Sequence, residues 1–174
     1  MAADIRRAEP GDAVTIALLG RITFAETFGH LFLAHPGDLR AYLDATFDVA
    51  KIERSLGKPE NVYWLAFRRR LPVGFAKLKH PSPLPARQPE QTAAQLQKIY
   101  VLQEFLAHGI GRDLLDPVMQ AASACAPVLW LDVLRENDRA IHFYEKHGFA
   151  VIGEDTHTIG AQRFLFFLMA RRTP

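Results

Sequence analysis

The stretch IYVLQEFLAHGIGRDLLD, Ile99 to Asp116, sets a β-like apolar run against a helix-like one, with Gly109 and Gly111 one residue apart at the junction. Glycine weakens strands and helices alike because it has the most conformational freedom to lose. Two of them at a strand-to-helix turn therefore mark a place where the backbone itself must be free. Such a turn leaves unpaired N–H groups at the positive end of the helix macrodipole, which suits a phosphate or pyrophosphate. The spacing excludes two familiar phosphate sites, since GIGRDL lacks both the third glycine of G-x-G-x-x-G and the GK[ST] ending of a P-loop. Taken alone, the pair is more simply read as turn geometry.

The flanking chain divides into alternating elements. Ile5–Ala8 reads as a strand ended by Pro10-Gly11. From Asp12 to Gly29 apolar residues recur at helical spacing (Ile16, Leu19, Ile22, Phe24, Phe28), with Asp12 as N-cap and Gly29 as stop. A second helical region spans Asp38–Leu56, with room for a break near Asp48. NVYWLAF and PVGFAKLKH form a predicted hairpin around Arg68-Arg69-Arg70. Pro81 to Glu90 holds four prolines and is expected to be a surface loop rather than a boundary between domains. Then follow the strand AQLQKIYVL, a helix GRDLLDPVMQAASA marked by Pro117, the strand PVLWLDVL, a helix NDRAIHFYEKHG, and a closing strand pair FAVIGED and RFLFFLMAR. Hairpin strands mixed with strand–helix–strand crossovers argue for one α/β domain over residues 1–174 with a mixed sheet.

An apolar fraction of 49% and a charged fraction of 23% are ordinary for a globular chain. A formal charge of +2 with scattered Lys and Arg gives no case for nucleic acid. No apolar run approaches the ~20 residues of a membrane span, and MAADIRRAEP lacks a signal-peptide core. The single cysteine, Cys125, excludes an internal disulfide and fits small-residue packing better than nucleophilic chemistry. A cytoplasmic location is expected. His142, His147 and His157 show no metal-ligand arrangement, so no metal is expected.

Two motifs carry a resemblance. YVLQEFLAHGIGRDLLD resembles the acyl-CoA-binding motif of the GNAT N-acetyltransferases, in which a strand leads into [QR]-x-x-G-x-[GA] at the start of a helix. Gly109 and Gly111 match, while Leu106 stands where the family has Gln or Arg. LWLDVLRENDRAIHFYEKHGF resembles the family's strand followed by N-x-x-A-x-x-[FL]-Y-x-[KR]-x-G-F, matching at Asn137, Ala140, Phe143, Tyr144, Lys146, Gly148 and Phe149. The layout of ITFAETFG and LRAYLDATFDVAKIERSL resembles the bacterial spermidine/spermine acetyltransferase branch. The resemblance implies a GNAT fold, an α/β (α+β) architecture with a mixed, mostly antiparallel central sheet flanked by helices. It also implies acetyl-CoA as cofactor.

The implied roles follow position by position. Ile99, Tyr100 and Val101 would pair with the pantetheine arm, and Ala107, His108, Gly109, Ile110, Gly111 and Arg112 would wrap the pyrophosphate. Asn137 and Lys146 belong to the cofactor motif, although Asn137 is equally a helix N-cap. Tyr144 matches the tyrosine that protonates the departing thiolate, a general-acid task; a core aromatic fits its spacing from Ile141 as well, and the complete motif favours the acid. The general base is open. Gln97 stands where many relatives carry glutamate, and an amide cannot accept the proton; Glu104, His108 and His80 could serve only through water. Phe24, Glu26, Phe28, Tyr42 and Asp44 lie in segments that build the acceptor pocket, and Asp44 with Asp48 would share a face if their helix were continuous. The expected activity is acetyl transfer to a primary amine of a small molecule, with polyamines the leading class. Acetylation of a protein N-terminus or lysine, and a catalytically silent acyl-CoA-binding module, are the alternatives. Homodimers are common in the family, but no stretch identifies an interface.

Overall fold

The computed structural model describes residues 3–85 and 92–174. Strand β1 (Asp4–Arg7) leads through a single 3-10 turn into helix α1 (Ala13–Phe28). Asp12 sits at the helix start, yet its carboxylate does not cap the helix as expected. It is held instead by both terminal nitrogens of Arg6, at 2.7 and 2.8 Å, and by the Glu9 N–H. The second helical region is two helices, α2 (Pro36–Thr46) and α3 (Val49–Leu56), because Asp48 is extended and accepts from the Lys51 N–H as the N-cap of α3.

Strands β2 (Asn61–Arg68) and β3 (Leu71–Lys79) form the hairpin, with Arg69 and Arg70 both at positive φ in a two-residue turn. Of the proline-rich stretch, residues 81–85 are irregular and 86–90 lie outside the described residues. Strand β4 (Ala93–Val101), helix α4 (Ile110–Ser123), strand β5 (Val128–Leu134), helix α5 (Asp138–Lys146) and strands β6 (Ala150–Ile159) and β7 (Gln162–Arg172) complete the order. Pro117 lies inside α4, and Cys125 sits just beyond its end.

The strands form one sheet in the order β1-β2-β3-β4-β5-β7-β6. Every described pairing is antiparallel except β4 with β5, which is parallel and joins only Ala93, Ala94 and Gln95 to Val128, Leu129 and Trp130. The register of β4 against β3 slips between Leu96 and Lys98, leaving Gln97 as the extra residue of a β-bulge. Beyond the bulge β4 continues along β3 while β5 follows β7, so the two strands part.

Each face of the sheet is covered. On one, α4 presents Ile110, Leu114, Leu115, Val118 and Ala122, all at most 1% exposed, against Ala66, Val73, Ala94 and Leu129. That apolar spacing is why the segment is a helix with one buried stripe. On the other face α1 and α3 bury Ile16, Leu19, Phe24 and Ile52 against Leu65, Phe75 and Phe47. No described helix is long and apolar enough to cross a membrane.

The β6–β7 hairpin is tied back over this second face. Asp38, in the first turn of α2, accepts the Ala161 N–H at 2.9 Å. Gly160 has φ +58, and a Cβ there would overlap the Asp38 carboxyl. Gly160→Ala should lower unfolding free energy by about 1–2 kcal/mol through the left-handed backbone alone, and more if Asp38 is displaced. Asp38→Ala should cost about 1 kcal/mol, the worth of one hydrogen bond. Urea denaturation checks the order; equal stability of Gly160→Ala and the parent protein would contradict it.

Candidate active site

Where β4 and β5 part, a cavity of about 860 Å3 opens. Its walls are β4 from Leu96 to Val101, β5 from Asp132 to Leu134, the start of α4, the inner face of α5, and on the far side α1, Tyr42 of α2 and the β6–β7 hairpin. The edges of β4 and β5 that face each other across the gap have no strand between them. They present backbone groups that an amide-bearing ligand can pair with as a strand would.

The loop before α4 is shaped for an anion. Ala107 and Gly109 both take positive φ, +68 and +79, and the first helical bond runs from the Asp113 N–H to the Gly109 carbonyl. The N–H groups of Ile110, Gly111 and Arg112 thus have no partner within the helix. The two glycines differ. A Cβ on Gly109 would meet nothing within 4 Å, so its need is the backbone conformation and open space beside it, whereas a Cβ on Gly111 would touch the Phe143 ring at 3.5 Å. Arg112 lines the cavity, as does Arg139 at the start of α5, a cation at an unspecified position of the N-x-x-A motif. Asn137 caps α5, accepting the Ala140 N–H at 3.2 Å, and lines the cavity too. His108 and Lys146 do not reach the lining: the His108 ring turns to the Leu106 carbonyl, and Lys146 is exposed in the last turn of α5.

Tyr144 stands on the inner face of α5, 8% exposed, packed edge-on against Phe143 and Phe149. Burial, with the negative charge of Asp132 adding to it, pushes its phenol well above the ordinary range, so the hydroxyl keeps its proton at neutral pH. Asp132 lies on β5 two residues past Trp130, the last residue paired with β4, and is itself paired with Leu168 of β7. One of its oxygens is 3.1 Å from Nε2 of His157, which meets Phe166 edge-on; the other receives the Gln95 side-chain N–H at 3.4 Å. Gln97 donates in turn to Gln95 at 3.3 Å. The glutamine at the glutamate position is therefore not isolated from a carboxylate: through Gln95 it helps hold Asp132, one strand away. Sequence alone offers no sign of Asp132 and places His157 only outside any metal site, because the two lie on strands brought together only by the fold. His80 and Glu104 do not reach the cavity.

On the far side Phe24, Phe28 and Tyr42 stack together, with Phe24 4.7 Å from Phe28 and 4.6 Å from Tyr42, and they face Phe164 and Phe166. Glu26 lines the cavity, and its carboxylate accepts the Gln103 N–H at 2.9 Å. Asp44 does not reach this cavity; it pairs with Arg21 on the outer surface at 2.7 Å. Asp48, with its side chain in the α3 cap, shares no continuous face with it. Lys98, also missed by sequence, lies in the wall with its ammonium 5.3 Å from the Phe47 ring centre and 5.6 Å from that of Tyr100. Burial draws it down to about 8, against an opposing pull from Asp132. Lys77, opposite it on β3, is drawn to about 8 by burial and by the charge of Lys98.

Comparison with known proteins agrees with this geometry. Residues 25–149 match the Acetyltransferase (GNAT) family, and the chain belongs to that family. It is accordingly an acyltransferase, of a family that uses acetyl-CoA. It is 24% identical over 154 residues to an uncharacterized N-acetyltransferase in the pepI 3′ region of Lactobacillus delbrueckii subsp. lactis, covering 88% of this chain and 87% of the relative. Its fold is similar to that of a GCN5-related N-acetyltransferase from Rhodopseudomonas palustris (TM-score 0.77, 22% identity, 99% and 96% of the chains covered). It is also similar to that of the PaiA N-acetyltransferase of Thermoplasma acidophilum, solved in complex with coenzyme A (TM-score 0.74, 22% identity, 99% of both chains covered).

The two depressed lysines set the pH dependence of stability. Between about 8 and 10.5 the unfolded chain binds their protons and the folded chain does not, so stability rises with pH in that window. The phenols of Tyr42, Tyr63, Tyr100 and Tyr144 are raised above 10.0 by burial, so the unfolded chain loses those protons first and the trend reverses at higher pH. Urea midpoints should climb from about pH 8 to 10 and then fall, with the climb reduced in Lys98→Met. A flat profile in the parent protein would contradict the burial of both ammonium groups.

Proposed function

We propose that this chain transfers the acetyl group of acetyl-CoA to a primary amine of a small molecule. The observation that carries the reading is the meeting, at one cavity, of a free β4 edge, the unpaired N–H groups at the start of α4, and the Tyr144 hydroxyl. These fit the cofactor's parts. The edge at Ile99, Tyr100 and Val101 suits the amides of the pantetheine arm, and the loop from Ala107 to Arg112, with Arg139 and Asn137, suits the phosphates. When bound, acetyl-CoA supplies an acetyl group activated as a thioester. Backbone N–H groups on β4 stabilise negative charge on an acyl oxygen beside that edge. Tyr144, held protonated, donates its proton to the leaving sulfur.

The Asp132–His157 pair takes the role that the sequence left open, accepting the proton of the incoming ammonium. His157, whose Nε2 lies 3.1 Å from an Asp132 oxygen, receives it, and Asp132 is held in place by Gln95, itself bonded to Gln97. A silent acyl-CoA binder would need neither Tyr144 nor this pair. The hairpin fastened over the aromatic side favours a small acceptor over the N-terminus or lysine of a folded protein. The layout of α1 to α3 resembles the polyamine-acetylating branch, but Asp44 and Asp48, the carboxylates on which a polyamine would rely, are engaged elsewhere.

Tyr144→Phe should keep acetyl-CoA binding, measured by calorimetry, while turnover falls by about 10²–10⁴-fold. Unchanged turnover would remove Tyr144 from the acid role. His157→Gln and Asp132→Asn should each lower kcat by about 10²-fold with little change in the KM for acetyl-CoA; a change confined to KM would instead mark them as binding residues. Gly109→Val should weaken acetyl-CoA binding by at least about tenfold in a folded protein, since its left-handed backbone and its open approach are both lost.

A further inference from the structure

We infer that Lys98 is an anion-recognition residue of the acceptor site, and that the acceptor is an amine bearing a carboxylate and an apolar side chain. The inference rests on the acetyl-transfer reading for the amine, but the anion site itself requires no turnover.

Side chains alternate along a strand. Past the bulge, Ile99 and Val101 pack towards α4, while Tyr100 packs towards α1 and α3. Lys98 shares the Tyr100 side, over Phe47 and Tyr100. It is thus on the face of the sheet away from α4 and its phosphate loop, within the wall of the cavity's aromatic side. Among the described residues its ammonium has no carboxylate or carbonyl partner, only the two rings. Two cation–π contacts offset only part of the cost of desolvating an ammonium. A cation held in that state, drawn down to about 8, is poised for an anion.

The surrounding charges point the same way. Lys77 stands beside Lys98 across the β3–β4 ladder, and Lys51 adds positive charge from α3. The carboxylates in the cavity wall are spoken for: Glu26 takes the Gln103 N–H, and Asp132 is shared between Gln95 and His157. The cavity wall therefore carries both signs, Asp132 with His157 and the Lys98 ammonium on which Asp132 acts without pairing, with Phe24, Phe28, Tyr42 and Phe164 along its side. A zwitterion with an apolar body satisfies both signs. A polyamine meets the Lys98 ammonium in the cavity wall with Lys77 behind it, a repulsive element that discriminates against it.

The test uses the whole protein saturated with coenzyme A and titrated calorimetrically with phenylalanine, leucine, 3-phenylpropanoate, phenethylamine, isoamylamine and spermidine. At least one carboxylate should bind, each amino acid that binds should do so more tightly than its decarboxylated amine, and spermidine should bind more weakly than either. Lys98→Met should lose carboxylate affinity by at least about tenfold, the loss of one charge-assisted contact, while its affinity for coenzyme A stays within about twofold. No carboxylate binding to the folded parent protein, carboxylate affinity unchanged in Lys98→Met, or tighter binding of spermidine would each overturn the inference. The matched amine pairs need no variant, so a poorly folding Lys98→Met leaves the test intact. Thiol release from acetyl-CoA, followed with the same compounds, separates the two readings. Release with the decarboxylated amines as fast as with the amino acids overturns the anion site and leaves acetyl transfer standing. Lys98-dependent carboxylate binding without release by any amine does the reverse.

Discussion

The site depends on a parallel pairing that stops after three residues. Had β4 and β5 stayed together along their lengths, backbone bonds would close the middle of the sheet and no ligand could enter it. The extra residue at Gln97 bends β4 onto β3, and β5 is held by its full antiparallel ladder with β7. Each strand is thus stabilised by its outer neighbour, and the opening between them costs little. The sheet can be a rigid scaffold and still offer unsatisfied backbone edges at its centre, a combination that a continuous sheet lacks.

The same parting organises the chemistry. It sets Tyr144 from α5 on one side of the gap and the aromatic cluster of α1 and α2 on the other, with Asp132 between them on the freed part of β5. The influence of Asp132 on Tyr144, Tyr100, Tyr42 and Lys98 marks it as the electrostatic centre of the cavity. Its own position is fixed by a line of side-chain amides, Gln97 to Gln95 to Asp132, anchored by the Ser82 hydroxyl on Gln95 and by Trp130 on the Ser82 carbonyl. A half-buried polar chain of this kind sets direction more than it adds stability.

Most of the secondary structure was legible in the sequence because it follows local rules: the apolar stripe of α4, the break near Asp48 in the second helical region, and the alternation in β2 and β3. The turn at Gly109 was legible for the same reason, since positive φ is a property of the residue itself. What depends on distant pairing was not. Nothing in QLQKIYV reveals that its second glutamine is a bulge, and nothing near Asp132 in sequence announces His157, on the next strand beyond a helix. Local spacing misled where a side chain had a nearer partner: Asp44 found Arg21, and Asp12 found Arg6. Lys146 matches a motif in type, yet lies in a helical turn that points it to solvent. Lys98 was hidden by its neighbours, for an alternating strand with one lysine reads as ordinary amphipathic patterning.

The clasp between Asp38 and the Gly160–Ala161 turn sets a limit on how this scaffold can be altered. The hairpin it fastens carries His157, Phe164 and Phe166, so any exchange of that hairpin to admit a new acceptor also exchanges part of the cavity wall. The tip has no tolerance for a side chain, because the space a Cβ needs is filled by the carboxyl that holds the tip down. A transplanted hairpin must therefore bring a glycine at its tip and meet an aspartate on the helix opposite. Two residues that touch no reactant thus govern which cavity walls this fold can accept.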